Sequence, residues 1–225
     1  RRWALLLAAP PLAFLGLFFL WPVANILALG LAPEGQLQLG HVLQTLAQPW
    51  VLDTVVFTLA LAGLSTALTL LLGLPAAWVF ARFTFPGKAV ARALTVVPFV
   101  LPTVVVGSAF LALLGPRSPL NELLTVLFGA DFPQVRLDGS VGAILIAHVF
   151  YNIAVIIRLV GGMWANIDSR TEEAARMLGA SPWGAFREVT WPLLRPAVIS
   201  AASIVFLFTV TSFGVVLLLG GPRDA

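Results

Sequence analysis

VGAILIAHVFYNIAVIIRLVGGMWAN (Val141–Asn166) runs directly into IDSRTEEAARMLGASPWGAFREVTWPLLRP (Ile167–Pro196), which sets the two kinds of sequence in this chain side by side. At about 1.5 Å per helical residue the first stretch is long enough to cross roughly 30 Å of hydrocarbon. The second gathers charge into a loop. Working outward, four more apolar runs of spanning length can be drawn, at Trp3–Leu31, Val51–Ala81, Ala93–Leu114 and Ala197–Leu219. Polar connections Ala32–Trp50, Arg82–Arg92 and Gly115–Ser140 separate them. A chain in lipid must satisfy its backbone hydrogen bonds within each segment, so all five spans are predicted helices. The period-2 alternation of barrel strands is absent. The expected fold is an all-α, polytopic helical bundle, one transmembrane domain over residues 1–225 with residues 167–196 as a helical loop within it.

Composition leads to the same solvent. Hydrophobic residues make up 60% of the chain and charged residues 10%, against about 25% charged in a soluble domain. Too few polar groups exist to cover a water-exposed surface, so lipid is expected as a partner. The net charge of +3 is small, and the basic residues sit at the ends of apolar runs. That pattern argues against nucleic acid. Cysteine is absent, which excludes disulfides and thiolate metal sites, and His41 and His148 alone make a poor histidine metal site. No metal and no cofactor is expected. Arg1 and Arg2 followed by an apolar run and Ala28-Leu29-Gly30 have the outline of a signal peptide. The run is about twice the length of a signal h-region, however, and reads as a membrane anchor.

Orientation follows from Lys and Arg. With the N-terminus inside, the inner side holds Arg1, Arg2, Arg82, Lys88, Arg92, Arg170, Arg176, Arg187 and Arg195, and the outer side only Arg117, Arg136 and Arg223. This positive-inside asymmetry predicts N-terminus in and C-terminus out. Trp21, Trp50, Trp78 and Trp164 fall toward span ends, where an aromatic belt or local packing would place them. An odd number of spans ending at Gly220-Gly221-Pro222, in a chain that starts without Met, is read as a piece of a longer protein.

The loop carries two helix signatures. Ser169-Arg170-Thr171-Glu172 fits a capping box, in which hydroxyl and carboxylate satisfy backbone N–H groups reciprocally. A helix from there through Glu173, Ala174, Ala175, Arg176, Met177 and Leu178 would stop at Gly179, the residue type wanted in a left-handed C-terminal position. Ser181-Pro182 starts a second helix, with Ser as cap and Pro at the first position. Trp191-Pro192 is expected to end it and turn the chain before the last span. Such a helical knuckle, with small Ala174 and Ala175, suits docking of another protein; an amphipathic pair lying on headgroups shares its charge pattern.

Glu173-Ala174-Ala175, Gly179 and Val189-Thr190-Trp191-Pro192 resemble the EAA loop of bacterial binding-protein-dependent ABC importer permeases. That pattern is Glu-Ala-Ala, three residues, Gly, nine residues, Ile, any residue, Leu, Pro. Here Val189 stands for Ile and Trp191 for Leu. Arg82–Lys88 and Pro98-Phe99-Val100-Leu101-Pro102 look like the second and third spans of the same family. The resemblance implies a permease in the bacterial inner (plasma) membrane, multi-pass and not itself an enzyme. Its implied partners are cytoplasmic ATP-binding subunits, a periplasmic solute-binding protein and a second permease half or copy. It also implies ATPase docking through Glu172, Glu173, Ala174, Ala175, Gly179, Ala180 and Pro192. No phosphate-cradling Gly-rich loop with Lys occurs in the chain, so ATP hydrolysis is expected in a separate subunit.

Within the fourth span His148, Tyr151, Asn152 and Arg158 project onto about one third of the helix circumference. Ionisable groups in a span usually face a bundle interior or an aqueous cavity. His148, Tyr151 and Asn152 are therefore candidates for lining the path; interhelical hydrogen bonding is the alternative, and Arg158 is near enough to the span end to snorkel. Thr54, Thr58, Ser65 and Thr69 in the second span, and Ser200, Ser203, Thr211 and Gly214 in the fifth, read as packing stripes. Pro98 and Pro102 should kink the third. The segment Gly142–Asn152 and the Val-x-Trp-Pro ending most resemble thiamine-transport permeases, with iron(III) and polyamine systems as alternatives. Two other classes remain: an ion-gradient-driven secondary transporter, for which Asp53 is the only acid close to a span, and a structural membrane protein.

Overall fold

The computed structural model describes residues 2–32, 39–115, 118–129, 132–137 and 139–220. Arg1, Arg117 and Arg223, three of the residues used for orientation, lie outside them. Among the described residues there is no strand, and five helical stretches are long and apolar enough to cross a membrane. By contacts the chain divides into two units, Arg1–Phe57 and Thr58–Ala225.

In the first unit α1 (Arg2–Leu15) continues through a π turn (Gly16–Leu20) into α2 (Trp21–Leu31). α3 (Leu39–Leu46) and the start of α4 (Pro49–Arg82) follow. No residue of the π turn or α2 is buried, and large side chains such as Phe18, Trp21 and Ile26 stand exposed. In water this face would be untenable; in lipid it needs no cover.

The second unit holds the rest of α4, then α5 (Lys88–Leu94), α6 (Val97–Val100), α7 (Thr103–Leu114), α8 (Pro119–Phe128), α9 (Val141–Asn166), α10 (Ser169–Met177), α11 (Pro182–Ala185), a π turn (Phe186–Thr190), α12 (Trp191–Val210) and α13 (Phe213–Leu219). Its core lies where α4, α9 and α12 meet, with Ala77, Ile156, Val160, Leu194, Ala201 and Val205 all nearly solvent-free. Small residues set the spacing. A Cβ added to Gly73 would sit 2.8 Å from Ile156 Cβ, and one added to Gly161 would sit 3.3 Å from the Ala77 carbonyl oxygen. In α4 only part of the expected stripe is buried: Ser65 and Thr69 are, together with Ala62, whereas Thr58 is half-buried and Thr54 exposed. In α12 the stripe is a different one. Ala201, Val205 and Thr209 are buried while Ser200 and Ser203 face outward, because apolar volume at i and i+4 fills the core better than two hydroxyls.

Two expectations change, and one choice left open is decided. Pro102 does not kink the third span but breaks it, since Leu101 and Pro102 are both extended (ψ 134° and 137°). A prolyl ring disfavours the α conformation in the residue before it, and Leu101 obeys. Second, Gly115–Ser140 is not merely a connection, because α8 lies in it, opened by Ser118 whose Oγ accepts from Asn121 N at 3.2 Å, with Pro119 next. The Ser-Pro start is the one recognised at Ser181-Pro182. Third, Trp164 belongs to the core and stacks on Phe186 at 6.0 Å and 28°, whereas Trp21 and Trp50 are exposed.

Asn121 holds the loop after α8. Its amide donates to Gly115 O (3.1 Å) and Val135 O (2.8 Å), and its Oδ1 accepts from Val135 N (2.7 Å). Asn121→Ala would strand buried backbone groups at a cost of about 1–3 kcal/mol. Faster proteolysis between residues 115 and 140, with the rest of the chain equally resistant, is the expected result.

Candidate functional site

The charged loop starts one residue earlier than a capping box would have it. Asp168 is the N-cap: its Oδ1 accepts from Arg170 N at 3.0 Å, and Thr171 Oγ1 donates to Asp168 O at 2.9 Å. An aspartate caps at least as well as serine and takes the position. Glu172 is thereby released from capping. Its Oε1 accepts from Arg82 Nη2 at 3.1 Å and from the Thr190 hydroxyl, and Arg82 Nη1 also reaches Ile167 O at 3.4 Å. One carboxylate thus ties α10 to the end of α4 and to the π turn that leads into α12.

Gly179 closes α10 with φ +95°. Gly179 N donates to Arg176 O (3.0 Å) and Ala180 N to Ala175 O (3.1 Å), the two bonds of a Schellman ending. No atom would touch a Cβ placed there. Gly179→Ala should therefore cost only the left-handed backbone penalty, about 1–2 kcal/mol. A modest fall in thermal midpoint, without loss of membrane insertion, would show it. Ser181 then caps α11, accepting from Gly184 N at 3.0 Å, with Pro182 at the first helical position, as its sequence indicates.

Pro192 is not an exit turn. The Trp191 amide bonds to Phe186 O, five residues back, and helix continues from Pro182 to Val210. A proline inside an α-helix clashes with the carbonyl four residues earlier, and the wider π turn just ahead makes room for it. The same arrangement precedes Pro22, where Trp21 N bonds to Gly16 O. The second half of the loop is therefore the first part of the last span.

Outward, the loop presents Glu173 and Ala174, with Ala175 and Ala180 half-buried behind them. It also presents Met177 and Leu178, 86% and 90% exposed. Sequence reading did not single these two out, although they follow Glu173 and Ala174 by the four-residue step that shares a helix face. Behind the loop Phe186 stacks on Trp183 at 5.4 Å.

A second cluster lies within the spans. His148, Tyr151 and Asn152 share a cavity of about 320 Å³ with Thr103, Thr211 and Ser212. Ser212 Oγ donates to Thr209 O (2.7 Å), so its hydrogen is committed and it accepts from His148 Nε2–H at 2.6 Å. His148 Nδ1 is left to accept from the Ser65 hydroxyl at 2.9 Å. Asn152 Nδ2 donates to His148 O at 2.9 Å. Tyr151 directs its enclosed hydroxyl toward Thr103 without good hydrogen-bond geometry. Two helix breaks, at Leu101–Pro102 and at Thr211–Ser212, border this cavity. Irregular backbone at membrane depth is tolerated where protein buries it or where it lines a cavity. Arg158 does not join the group. Ten residues beyond His148, about 15 Å along the axis, it lines a separate cavity with Arg92.

The sequence family described as binding-protein-dependent transport system inner membrane component matches residues 69–224. The chain belongs to that family. Azotobacter vinelandii molybdenum transport system permease protein ModB is 36% identical over 170 residues, 76% of this chain and 73% of the relative. Escherichia coli K12 sulfate transport system permease protein CysW is 29% identical over 180 residues, 80% of this chain but 60% of the relative. A 2-aminoethylphosphonate transport system permease protein of Salmonella typhimurium is 29% identical over 211 residues, 93% of this chain and 74% of the relative. A crystal structure of a bacterial ABC transporter involved in the import of the acidic polysaccharide alginate shares the fold. Its TM-score is 0.76 at 17% identity, covering 98% of this chain and 79% of that one. The chain is thus a multi-pass ABC importer permease and a non-enzymatic transport component.

Proposed function

We propose that this permease couples ATP hydrolysis in a separate cytoplasmic subunit to import of a small oxyanion delivered by a periplasmic binding protein. A second copy or half would complete the path, and the N-terminus and residues 167–196 would lie in the cytoplasm. The observation that carries the coupling role is the fixed knuckle: Glu172 secures it from behind while Glu173, Ala174, Met177 and Leu178 stand free in front. The cargo reading departs from the thiamine expectation. Relatives named for molybdenum, sulfate and 2-aminoethylphosphonate transport favour an oxyanion. The cavity is lined by hydroxyl, imidazole and amide groups and, among the described residues, by neither a carboxylate nor a Lys or Arg, so the relatives carry the cargo reading.

Complementation separates the cargoes. Expressed with its own ATPase and binding protein, the chain should restore growth on limiting molybdate or sulfate to a strain lacking those importers. Rescue of a thiamine-uptake strain, with none on either oxyanion, would overturn the assignment.

A further inference from the structure

Near the loop-side end of the second unit, a cavity of about 290 Å³ is lined by Arg92 from α5, by Phe80 from α4, and by Arg158, Gly161, Gly162 and Ala165 from α9. No acidic side chain lines it. Of the neighbouring cations on α4 and α5, Arg82 is bound to Glu172, and Lys88 Nζ donates to Phe83 O at 2.7 Å. Arg92 and Arg158 have neither an ion pair nor a side-chain hydrogen bond among the described residues. Both residues are exposed, so like charges lining one space repel through solvent, and an anion shared between them turns that repulsion into attraction.

Depth sharpens the chemistry. Arg158 stands eight residues before Asn166, the last residue of α9, so about 12 Å from the helix end. The 26-residue helix is about 39 Å long and overreaches roughly 30 Å of hydrocarbon. A long arginine at that level extends its head to the boundary between acyl chains and headgroups. Guanidinium is the side chain best matched to a phosphate-type anion, since its planar fork donates two parallel hydrogen bonds. Basic pockets between membrane helices hold anionic headgroups by this chemistry. Gly162 keeps the space open, for a Cβ there would meet nothing within 4 Å.

We propose that Arg92 and Arg158 form a binding site for a phosphate-type oxyanion at the loop-side membrane boundary, carried by an anionic lipid headgroup or free in solution. The test uses the full chain in two kinds of nanodisc, phosphatidylcholine alone and phosphatidylcholine doped with phosphatidylglycerol. Three variants are compared with the unmodified protein: Arg92→Gln, Arg158→Gln and Gly162→Leu. The last fills the cavity and leaves both charges in place. Lipid retained on the protein is counted by native mass spectrometry, and inorganic phosphate is titrated against thermal midpoint in the undoped discs. For a lipid headgroup, each variant should retain phosphatidylglycerol about tenfold more weakly, the loss expected for one charge-assisted contact, with phosphatidylcholine retention unchanged. For a free ion, phosphatidylglycerol retention should be the same throughout, and the phosphate-induced rise in midpoint should vanish in the variants. The proposal falls if the variants match the unmodified protein in both arms, or if they lose phosphatidylcholine equally.

Discussion

Glu172→Gln is expected to lower transport at least tenfold while the ATPase subunit still co-purifies, whereas Glu173→Lys should lose both the ATPase and transport while thermal stability holds. The two acids are adjacent in sequence and differ in what they touch. Glu172 accepts from Arg82 and Thr190 with its carboxylate less than a third exposed. Removing its charge leaves a half-buried arginine short of a partner, at a cost of about 1–2 kcal/mol after allowing for residual solvent screening. The larger consequence is mechanical. Without that carboxylate α10 is no longer fastened to α4 or to the rod of α11 and α12, and a push on the loop is absorbed at the loop. Glu173 is exposed, and exposed substitutions commonly change stability by no more than about 0.5 kcal/mol. A double-mutant cycle between Arg82→Ala and Glu172→Ala should give a coupling energy of about 0.5–3 kcal/mol, the range for directly interacting partners. Full transport by Glu172→Gln would remove the anchor from the mechanism.

Local chemistry was readable in the sequence wherever one residue decides the local conformation. Gly179 stops α10 in the left-handed region, and Ser181-Pro182 opens α11, because capping geometry involves only near neighbours. Reading failed where two signals competed or where a neighbour altered the rule. Asp168 displaced Ser169 as the cap, freeing Glu172 for contacts 90 residues away with Arg82 and 18 away with Thr190. Pro192 was expected to stop a helix, and that expectation assumed α geometry throughout; the π turn at Phe186–Thr190 removes the clash and has no signature in residue type. The face of α9 was readable for His148, Tyr151 and Asn152. Arg158 shares that face on a helical wheel but was set apart by its nearness to the span end, and it lines a separate cavity. Cargo was the least legible feature. An oxyanion and a thiazolium can both be drawn into a cavity of hydroxyls, and among its described lining residues no Asp, Glu, Lys or Arg favours either.

The second large effect is expected where α4 crosses α9. Gly73→Leu should cost several kcal/mol, enough to abolish stable insertion or to drop the thermal midpoint sharply. Overpacking a filled core by even one or two methylenes commonly costs about 1–3 kcal/mol, and here the obstacle is rigid. The added Cβ would lie 2.8 Å from Ile156 Cβ and 2.9 Å from its Cγ2. Those atoms are next to the backbone of a fully buried residue, so no flexible side-chain end can swing away. Gly73→Ala should be milder, because the same clash is partly offset by about 1 kcal/mol of gained helix propensity. Ile156→Ala alone opens a cavity at about 2–5 kcal/mol. Combined with Gly73→Ala, it should be less destabilising than the sum of the two single changes, since it removes the Cγ1 and Cγ2 contacts and the new methyl fills part of the cavity, while the 2.8 Å contact with Cβ remains. Gly63→Ala, on the same helix with nothing within 4 Å of the added methyl, should be neutral or stabilising. Strict additivity at Gly73 and Ile156, measured by thermal midpoint in one detergent, would mean that this crossing does not set the α4–α9 spacing. The spacing bears on function because α4 ends in Arg82, the residue that holds Glu172. Separating α4 from α9 moves the anchor, so transport should fall with stability in Gly73→Ala and recover only in part in the double variant, which keeps the contact with Cβ.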